Sequence, residues 1–574
     1  MTNVSDSKIR LEDLSHFGKL RSAPQAAVTL KIQEDGTVLA DGSGSQPFEG
    51  DGAPVTEYYW SARKENPGIL TIAHPSSLDG RTLAGEVQAD QIVLSTPVQD
   101  GEYYITLRVV DQQGREDRST VYFVVENGQP FLKETDWENT EWVDRAVVYG
   151  VIPRNFGKPG FQGIIDHLDE LQDLGITAMW LSPVNETPLG NYGYHVLDYF
   201  ELADIYGSKE DFRRMVQEAH KRGIRVLMDF VPNHTSEHHR YFEDTLRRGK
   251  ESPYWDFYDR DPTGAHTNYF HWSYLPNLNF NNPKVVQWIT EAFAYWVREF
   301  DVDGFRVDVA WGIRQRNPEY WPYWRKALKR IKPDLLLLAE AGARDSYYFS
   351  EGWDAAYDWT DDLGKWAWEH VFEDRSLLTE RLTSALTNQG KGFHPDALIF
   401  RFLNNNDTGA RFITRNGVAM TRVATTLLLT LPGVPCIYVG DETGTEFLPY
   451  KTREPLDWQP DPHNLRPLHK KLIALRREMP ALYSRSWQIL ETDPQQKIYA
   501  YLRWAEAGDK PVLVILNFFD ADVEASVTIP EEFAGFWQNR PLEDLLSGAK
   551  IPAQDSLSIK LTIHSMGAVL LSPQ

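Results

Sequence analysis

A rhythm that begins near residue 146 constrains this chain more than any other feature. Short apolar runs (AVVYGVI, ITAMWL, IRVLMDF, DGFRVDV, DLLLLAE, ALIFRFL and VPCIYV) alternate with amphipathic stretches such as SKEDFRRMVQEAHKRG and PKVVQWITEAFAYWVREF. The weakly apolar AAYDW, after the fifth run, supplies an eighth strand. Apolar runs of this kind suit parallel strands covered by helices, which are buried on both faces. Eight such strands with intervening helices predict a (β/α)8 TIM barrel, placed at residues 131–482. One connection is anomalous: between Pro232 and Pro283 there is no clear helical periodicity, and the gap is too long for an ordinary loop. A small subdomain inserted at about 232–283 is expected there.

The 574 residues exceed what one core can organise, so further domains are expected. Before the barrel, VTLKI, EYYWSA, YYITLRVV and STVYFVVE are β-rich runs separated by turn signals such as EDG, GDGAP and QDGE. They predict an immunoglobulin- or PKD-like β-sandwich within residues 1–130, which is read as a spacer or packing module. After the barrel, KIYAYLRW, PVLVILNFF, ASVTIP, SIKLTI and GAVLLS predict a second all-β sandwich, residues 483–574. The formal charge of −23 argues against binding nucleic acid or an anionic membrane, since phosphate recognition needs a basic face. A single cysteine excludes a disulfide framework and cysteine-built metal centres. No apolar run approaches the ~20 residues that span a bilayer. The first twenty residues lack the apolar core of a signal peptide, so a cytoplasmic location is expected as written, and a secreted one if a leader has been removed.

In a barrel the chemistry sits where strands end. Reading those ends gives Asp229 closing IRVLMD, Asp308 in GFRVD, Glu340 closing DLLLLAE, and Asp407 shortly after ALIFRFL. Each taken singly could be a surface acid or a helix cap; four on one rim point to a site. Clustered carboxylates without cysteine suit glycoside hydrolysis or metal-assisted hydrolysis. A retaining glycosidase needs an ionised nucleophile and a protonated partner about 5–5.5 Å away. Asp308 and Glu340 end neighbouring strands and can stand so. Arg306, two residues before Asp308 and on the same strand face, can hold Asp308 ionised, while the apolar run before Glu340 favours its neutral form.

The motifs resemble glycoside hydrolase family 13, the α-amylase family. DFVPNH (229–234), GFRVDVA (304–310), AEAG (339–342) and NNNDT (404–408) are similar to its four conserved regions, and LPNLNF (275–280) to the extra region of its inserted subdomain. The likeness covers roughly residues 146–574. It implies that Asp308 is the nucleophile, Glu340 the acid/base and Asp407 the third carboxylate, which binds sugar hydroxyls. It also implies that Arg306 partners the nucleophile, His234 bonds the reacting sugar, Asp229 supports that network, and Tyr194 is the aromatic platform beneath the ring. The pattern departs at Asn406, where most members carry His; Asn still donates to a sugar hydroxyl. It departs again at Trp311 and Gly312, where many amylases carry Lys-His; Trp311 is either a stacking wall or packing. Asn233 matches a calcium-binding position, but Asn277 stands where Asp is common, so no cofactor is required and calcium is a weaker expectation. His238 and His239 read as surface-loop residues rather than metal ligands.

The implied activity is retaining hydrolysis of α-1,4 bonds in maltooligosaccharides, cyclodextrins, starch or pullulan, with a cyclomaltodextrinase- or neopullulanase-like subgroup. A transglycosidase using the same covalent intermediate and a non-catalytic glucan-binding protein are the alternatives. The expected partner is the glucan, with no nucleic acid or membrane, and with a homo-oligomer through the N-terminal domain.

Overall fold

A computed structural model describes residues 23–574 except 74–77, 134–139, 158–159, 447, 453–455, 458–459, 493–497, 506–507 and 554–555. All eight expected runs are strands, and they close into one parallel barrel. They are β1 (Val148–Val151), β2 (Ala178–Leu181), β3 (Arg225–Phe230), β4 (Gly304–Val307), β5 (Leu336–Gly342), β6 (Ala355–Tyr357), β7 (Leu398–Phe402) and β8 (Val434–Tyr438). β8 pairs back to β1 and completes the ring. Gly304 shows how tightly β4 is threaded: a Cβ there would lie 2.1 Å from the Leu336 carbonyl oxygen. Only glycine admits that approach.

The helices outside the ring start where their sequences say they should. Lys209–Lys221 begins with a capping box between Ser208 and Asp211. Pro283–Phe300 begins with Asn282 as cap and a proline in its first turn. Much of the aromatic content is spent here: Phe230 of β3 packs on Phe293 at 4.1 Å between ring centres, and Phe293 on Trp324 at 5.0 Å. Such pairs bury large apolar area and add about 0.5–1.5 kcal/mol each from ring geometry.

The leading module has a five-stranded antiparallel sheet, whose central strands are Val55–Ala62, Gly101–Asp111 and Glu116–Glu126, facing a three-stranded sheet of Thr29–Ile32, Val38–Asp41 and Gln91–Leu94. Trp60, Ile105, Leu107 and Phe123 lie buried between them. This module docks at the start of the barrel strands, opposite the rim where carboxylates collect. Arg63 grips Asp334, just before β5, through two bonds of 2.7 and 2.8 Å, and Arg330 bonds Asp117 at 2.9 Å. The closing module is a six-stranded sheet with a separate strand pair, Val523–Thr528 and Ser558–Ile563.

The insertion after β3 carries a helix that the sequence pattern did not show. This helix, Arg240–Arg248, is capped by the His239 ring, which accepts from the Tyr241 N–H. The segment RYFEDTLRR is too short and charged for its periodicity to stand out, yet it buries Tyr241, Phe242, Asp244 and Thr245.

Candidate active site

Asp229 and Arg306 lie in β3 and β4, Asp308 follows β4 directly, Glu340 lies in β5, and Asp407 follows β7. The barrel therefore brings the four predicted carboxyls to one rim. Arg306 is their centre. Its Nη1 lies 2.8 Å from Asp308 Oδ1 and 2.9 Å from Asp229 Oδ1, and its Nη2 lies 2.6 Å from Glu340 Oε1. Its Nε donates to the Tyr357 hydroxyl at 3.0 Å, and its guanidinium is fully buried between the Trp180 and Tyr357 rings. A planar guanidinium faces all these partners at once, bonding Tyr357, Asp229 and Asp308 and pairing Nη2 with Glu340 by charge rather than by a hydrogen bond; an ammonium cannot.

Asp308 Oδ2, by contrast, takes no hydrogen bond from any described residue. Val309, the next residue, holds the left-handed conformation at φ 50°, costly for a β-branched side chain. The strained turn aims the Val309 N–H at Glu340 Oε2, 2.7 Å away. Burial pushes the Glu340 carboxyl well above the ordinary glutamate range; Arg306 opposes this, and Asp308 and Asp407 add to it. Burial also pushes Asp229 up to about 7 against the pull of Arg306. Asp407, at the open edge of the cleft, is raised by desolvation in the recess, again against Arg306. One rim thus carries a tethered carboxyl with a free oxygen beside a carboxyl inclined to keep its proton.

The remaining predicted residues gather around Tyr194. Its hydroxyl lies 3.3 Å from Asp229 Oδ2 and 3.0 Å from the Tyr450 hydroxyl. Asn406 was expected to donate to a sugar; instead its amide donates to Tyr194 Oη at 3.3 Å and to Asp407 Oδ2 at 3.0 Å. His234 is buried, and both ring nitrogens are engaged by protein. Nδ1 accepts from Asn233 at 3.1 Å, and Nε2 donates to the Tyr194 carbonyl at 3.1 Å. Contact with a sugar would require exchanging one of these bonds. Burial brings His234 down to about 4, so the ring is neutral at neutral pH. Trp311 is half-buried and packs at 5.7 Å from Phe270, and both line a cavity of about 280 Å³ with Glu340 and Asp407.

The calcium expectation meets a specific obstacle. Asn233 Oδ1 accepts from the Arg316 guanidinium at 2.7 Å, and Asn277 Oδ1 accepts from Asn233 Nδ2 at 3.1 Å. Both amide oxygens are taken, and a fixed cation stands where calcium would have to be. These residues do not fit the metal. Among the described residues, no group of three or more His, Cys, Asp or Glu could hold a metal ion. His239, expected at the surface, is buried as a helix cap; burial brings it down to about 3. His238 is exposed as expected.

Sequence reasoning missed Trp180 and Tyr357, which sandwich Arg306, and Tyr269, Phe270, Trp359 and Trp366, which line the cavity beside Glu340. Trp180 and Tyr357 point inward from strands, so strand alternation could have found them. The loop aromatics carry no such signal.

Comparison with known proteins decides the family. The profile described as "Alpha amylase, catalytic domain" matches residues 135–459, and "Alpha amylase, C-terminal all-beta domain" matches residues 489–574. The chain belongs to the alpha-amylase family. It is a glycoside hydrolase of that family, whose members are retaining and generally need no cofactor. It is 31% identical over 474 residues to a cyclomaltodextrinase of Geobacillus thermopakistaniensis, covering 75% of this chain and 78% of that one. It is 30% identical over 462 residues to an intracellular maltogenic amylase of Bacillus subtilis, covering 72% and 76%. A solved structure named cyclomaltodextrinase superposes with a TM-score of 0.66 at 22% identity, over 95% of this chain and 98% of that one. The shared fold therefore includes the leading sandwich.

Proposed function

We propose that this alpha-amylase family enzyme hydrolyses α-1,4-glucosidic bonds of maltooligosaccharides and related α-glucans (starch, pullulan or cyclodextrins) by double displacement. The observation that carries this reading is the Arg306 fork, which joins Asp308 and Glu340 through one guanidinium. Asp308 Oδ2 attacks the anomeric carbon while Glu340 gives its proton to the departing glycosidic oxygen. Glu340, now ionised, takes a proton from water, which attacks the same carbon and frees Asp308. Asp407, steadied by Asn406, binds sugar hydroxyls, and Tyr194 forms the platform beneath the ring. Asp229 spreads the charge of Arg306 and fixes the Tyr194 hydroxyl, and His234 fixes the Tyr194 backbone. The names of the relatives, cyclomaltodextrinase and maltogenic amylase, support the substrate class. The intracellular relative supports a cytoplasmic location, and no described helix is long and apolar enough to cross a membrane.

A second reading, sugar transfer, is favoured by Tyr269, Phe270, Trp311, Trp359 and Trp366 around the exit from Glu340. Such rings can hold an acceptor sugar in place of water. The test is a product profile over maltotriose, starch, pullulan and β-cyclodextrin with wild type, Asp308→Asn and Glu340→Gln. Hydrolysis predicts new reducing ends that both substitutions abolish; transfer predicts products longer than maltotriose. Undiminished activity in Asp308→Asn would remove the nucleophile assignment.

A further inference from the structure

Three loops meet beside the Tyr194 platform. Tyr450, on the segment after β8, places its hydroxyl 3.0 Å from that of Tyr194, with the two rings edge-to-face at 6.1 Å. Tyr192, on the loop after β2, donates its hydroxyl to the Tyr450 carbonyl at 2.8 Å and packs its ring 4.6 Å from the Tyr450 ring. Arg154, after β1, lays its guanidinium 4.9 Å from the Tyr192 ring centre. Tyr450 is held in the left-handed region at φ 61°, a backbone state that a bulky residue keeps only where its surroundings impose it.

The chemistry fixes which side this seam closes. Glu340 protonates the oxygen that departs, so the leaving part of the chain lies on the Glu340 side. The open cavity lies there: Glu340, Tyr269, Phe270, Trp311, Trp359 and Trp366 border it, whereas Arg154, Tyr192, Tyr194 and Tyr450 do not. The seam meets the platform apart from that cavity, and sugars preceding the reacting ring would continue on the side away from Glu340. Its Tyr450 hydroxyl touches that of the platform itself.

We propose that Tyr450, braced by Tyr192, closes the non-reducing side of the site, so that the enzyme seats one terminal sugar and releases glucose from chain ends. This rests on the glycosidase reading above and narrows it: a linear glucan offers the required end, and a cyclic one ranks last.

The probe is maltoheptaose, used free and with its non-reducing glucose blocked by a 4,6-ethylidene group, with first products separated by chromatography. Wild type is expected to release glucose first from the free chain and to act on the blocked chain at least 100-fold more slowly. Tyr450→Ala is expected to raise the blocked-to-free rate ratio at least tenfold and to bring maltose among the first products. Tyr192→Phe, which removes only the brace, is expected to move the ratio the same way by less, and it replaces Tyr450→Ala should that variant misfold. Comparable wild-type rates on the two chains, or maltose or longer first products from wild type, would overturn the wall. No product from free maltoheptaose would overturn the glycosidase reading along with it.

Discussion

Replacing Arg306 with lysine keeps one positive charge and removes the fork. The native guanidinium holds Asp308 at 2.8 Å, Asp229 at 2.9 Å, Glu340 at 2.6 Å and the Tyr357 hydroxyl at 3.0 Å. An ammonium on a flexible stem retains one of the three carboxyls well. Two charge-assisted hydrogen bonds are then lost, one to a carboxyl and one to the Tyr357 hydroxyl, each worth about 1.5–3 kcal/mol, or about 3–6 kcal/mol together. At about 1.4 kcal/mol per decade, that is a fall of ~10²–10⁴ in kcat, if the geometry matters chiefly in the transition state. KM is expected to change by less than about threefold, because Arg306 is fully buried and touches no sugar. The assay is reducing-sugar release from maltotriose across a concentration series, with far-UV circular dichroism to confirm that the barrel is intact. A folded Arg306→Lys enzyme keeping more than a tenth of wild-type kcat would refute the claim that the fork, rather than the charge, organises the site.

Asn406→Ala removes the donors to Asp407 and Tyr194. A fall of about 10–100-fold in kcat/KM for maltotriose is expected, from roughly 1–3 kcal/mol of lost positioning, and an unchanged value would show that neither residue needs holding. Chelation by EDTA is expected to leave melting temperature and activity unchanged, since Arg316 fills the place a calcium ion would need. Arg316→Met should lower the melting temperature, and recovery of the variant by added calcium would show that the metal can substitute for the guanidinium. Three buried histidines subtract stability as pH falls from about 6.5 toward 4, while the raised carboxyls of Asp229, Glu340, Asp198 and Glu442 add it across the same window. His234 and His469, at about 4, and His239, at about 3, stay neutral when folded while the unfolded chain takes up their protons. Relative to wild type, His469→Gln should raise the melting temperature near pH 4 against that near pH 6.5; an unaltered difference would mean that His469 takes up its proton in the folded state too.

The barrel was legible because burial on both faces leaves a strong mark: each apolar run became a strand, even the three residues of Ala355–Tyr357. The carboxyls were legible because a charge at the end of such a run has to be explained. Their partners were less so. Nothing in FLPYK marks Tyr450, whose role comes from a seam with Tyr192, 258 residues earlier. Arg316 follows Arg314 on one helix, yet Arg314 reaches Asp345 while Arg316 turns to Asn233. Polarity announced that Asn406 would bond something; only the packing of Tyr194 and Asp407 around it says what. Local pattern records which face a residue presents, whereas long-range closure decides whom it meets.

That closure also explains why the site needs its strain. Asp229, Asp308 and Glu340 share one guanidinium, and two carboxylates about 5 Å apart repel by roughly 3 kcal/mol at an effective dielectric near 20. Three negative charges against one positive charge cannot all persist in a buried pocket, so at least one carboxyl keeps a proton. Asp229 is the least useful place for it, being walled in by Trp180, Tyr194 and Arg306 with no path to a substrate. Glu340 borders the open cavity, and burial raises its proton affinity well above the ordinary range. The Val309 N–H donates to one Glu340 oxygen at 2.7 Å, a bond that a neutral carboxyl can still accept, while Arg306 lies 2.6 Å from the other oxygen. The left-handed turn at Val309 thus orients the general acid with a neutral donor, whose pull toward the ionised form is smaller than the push of burial toward the neutral one.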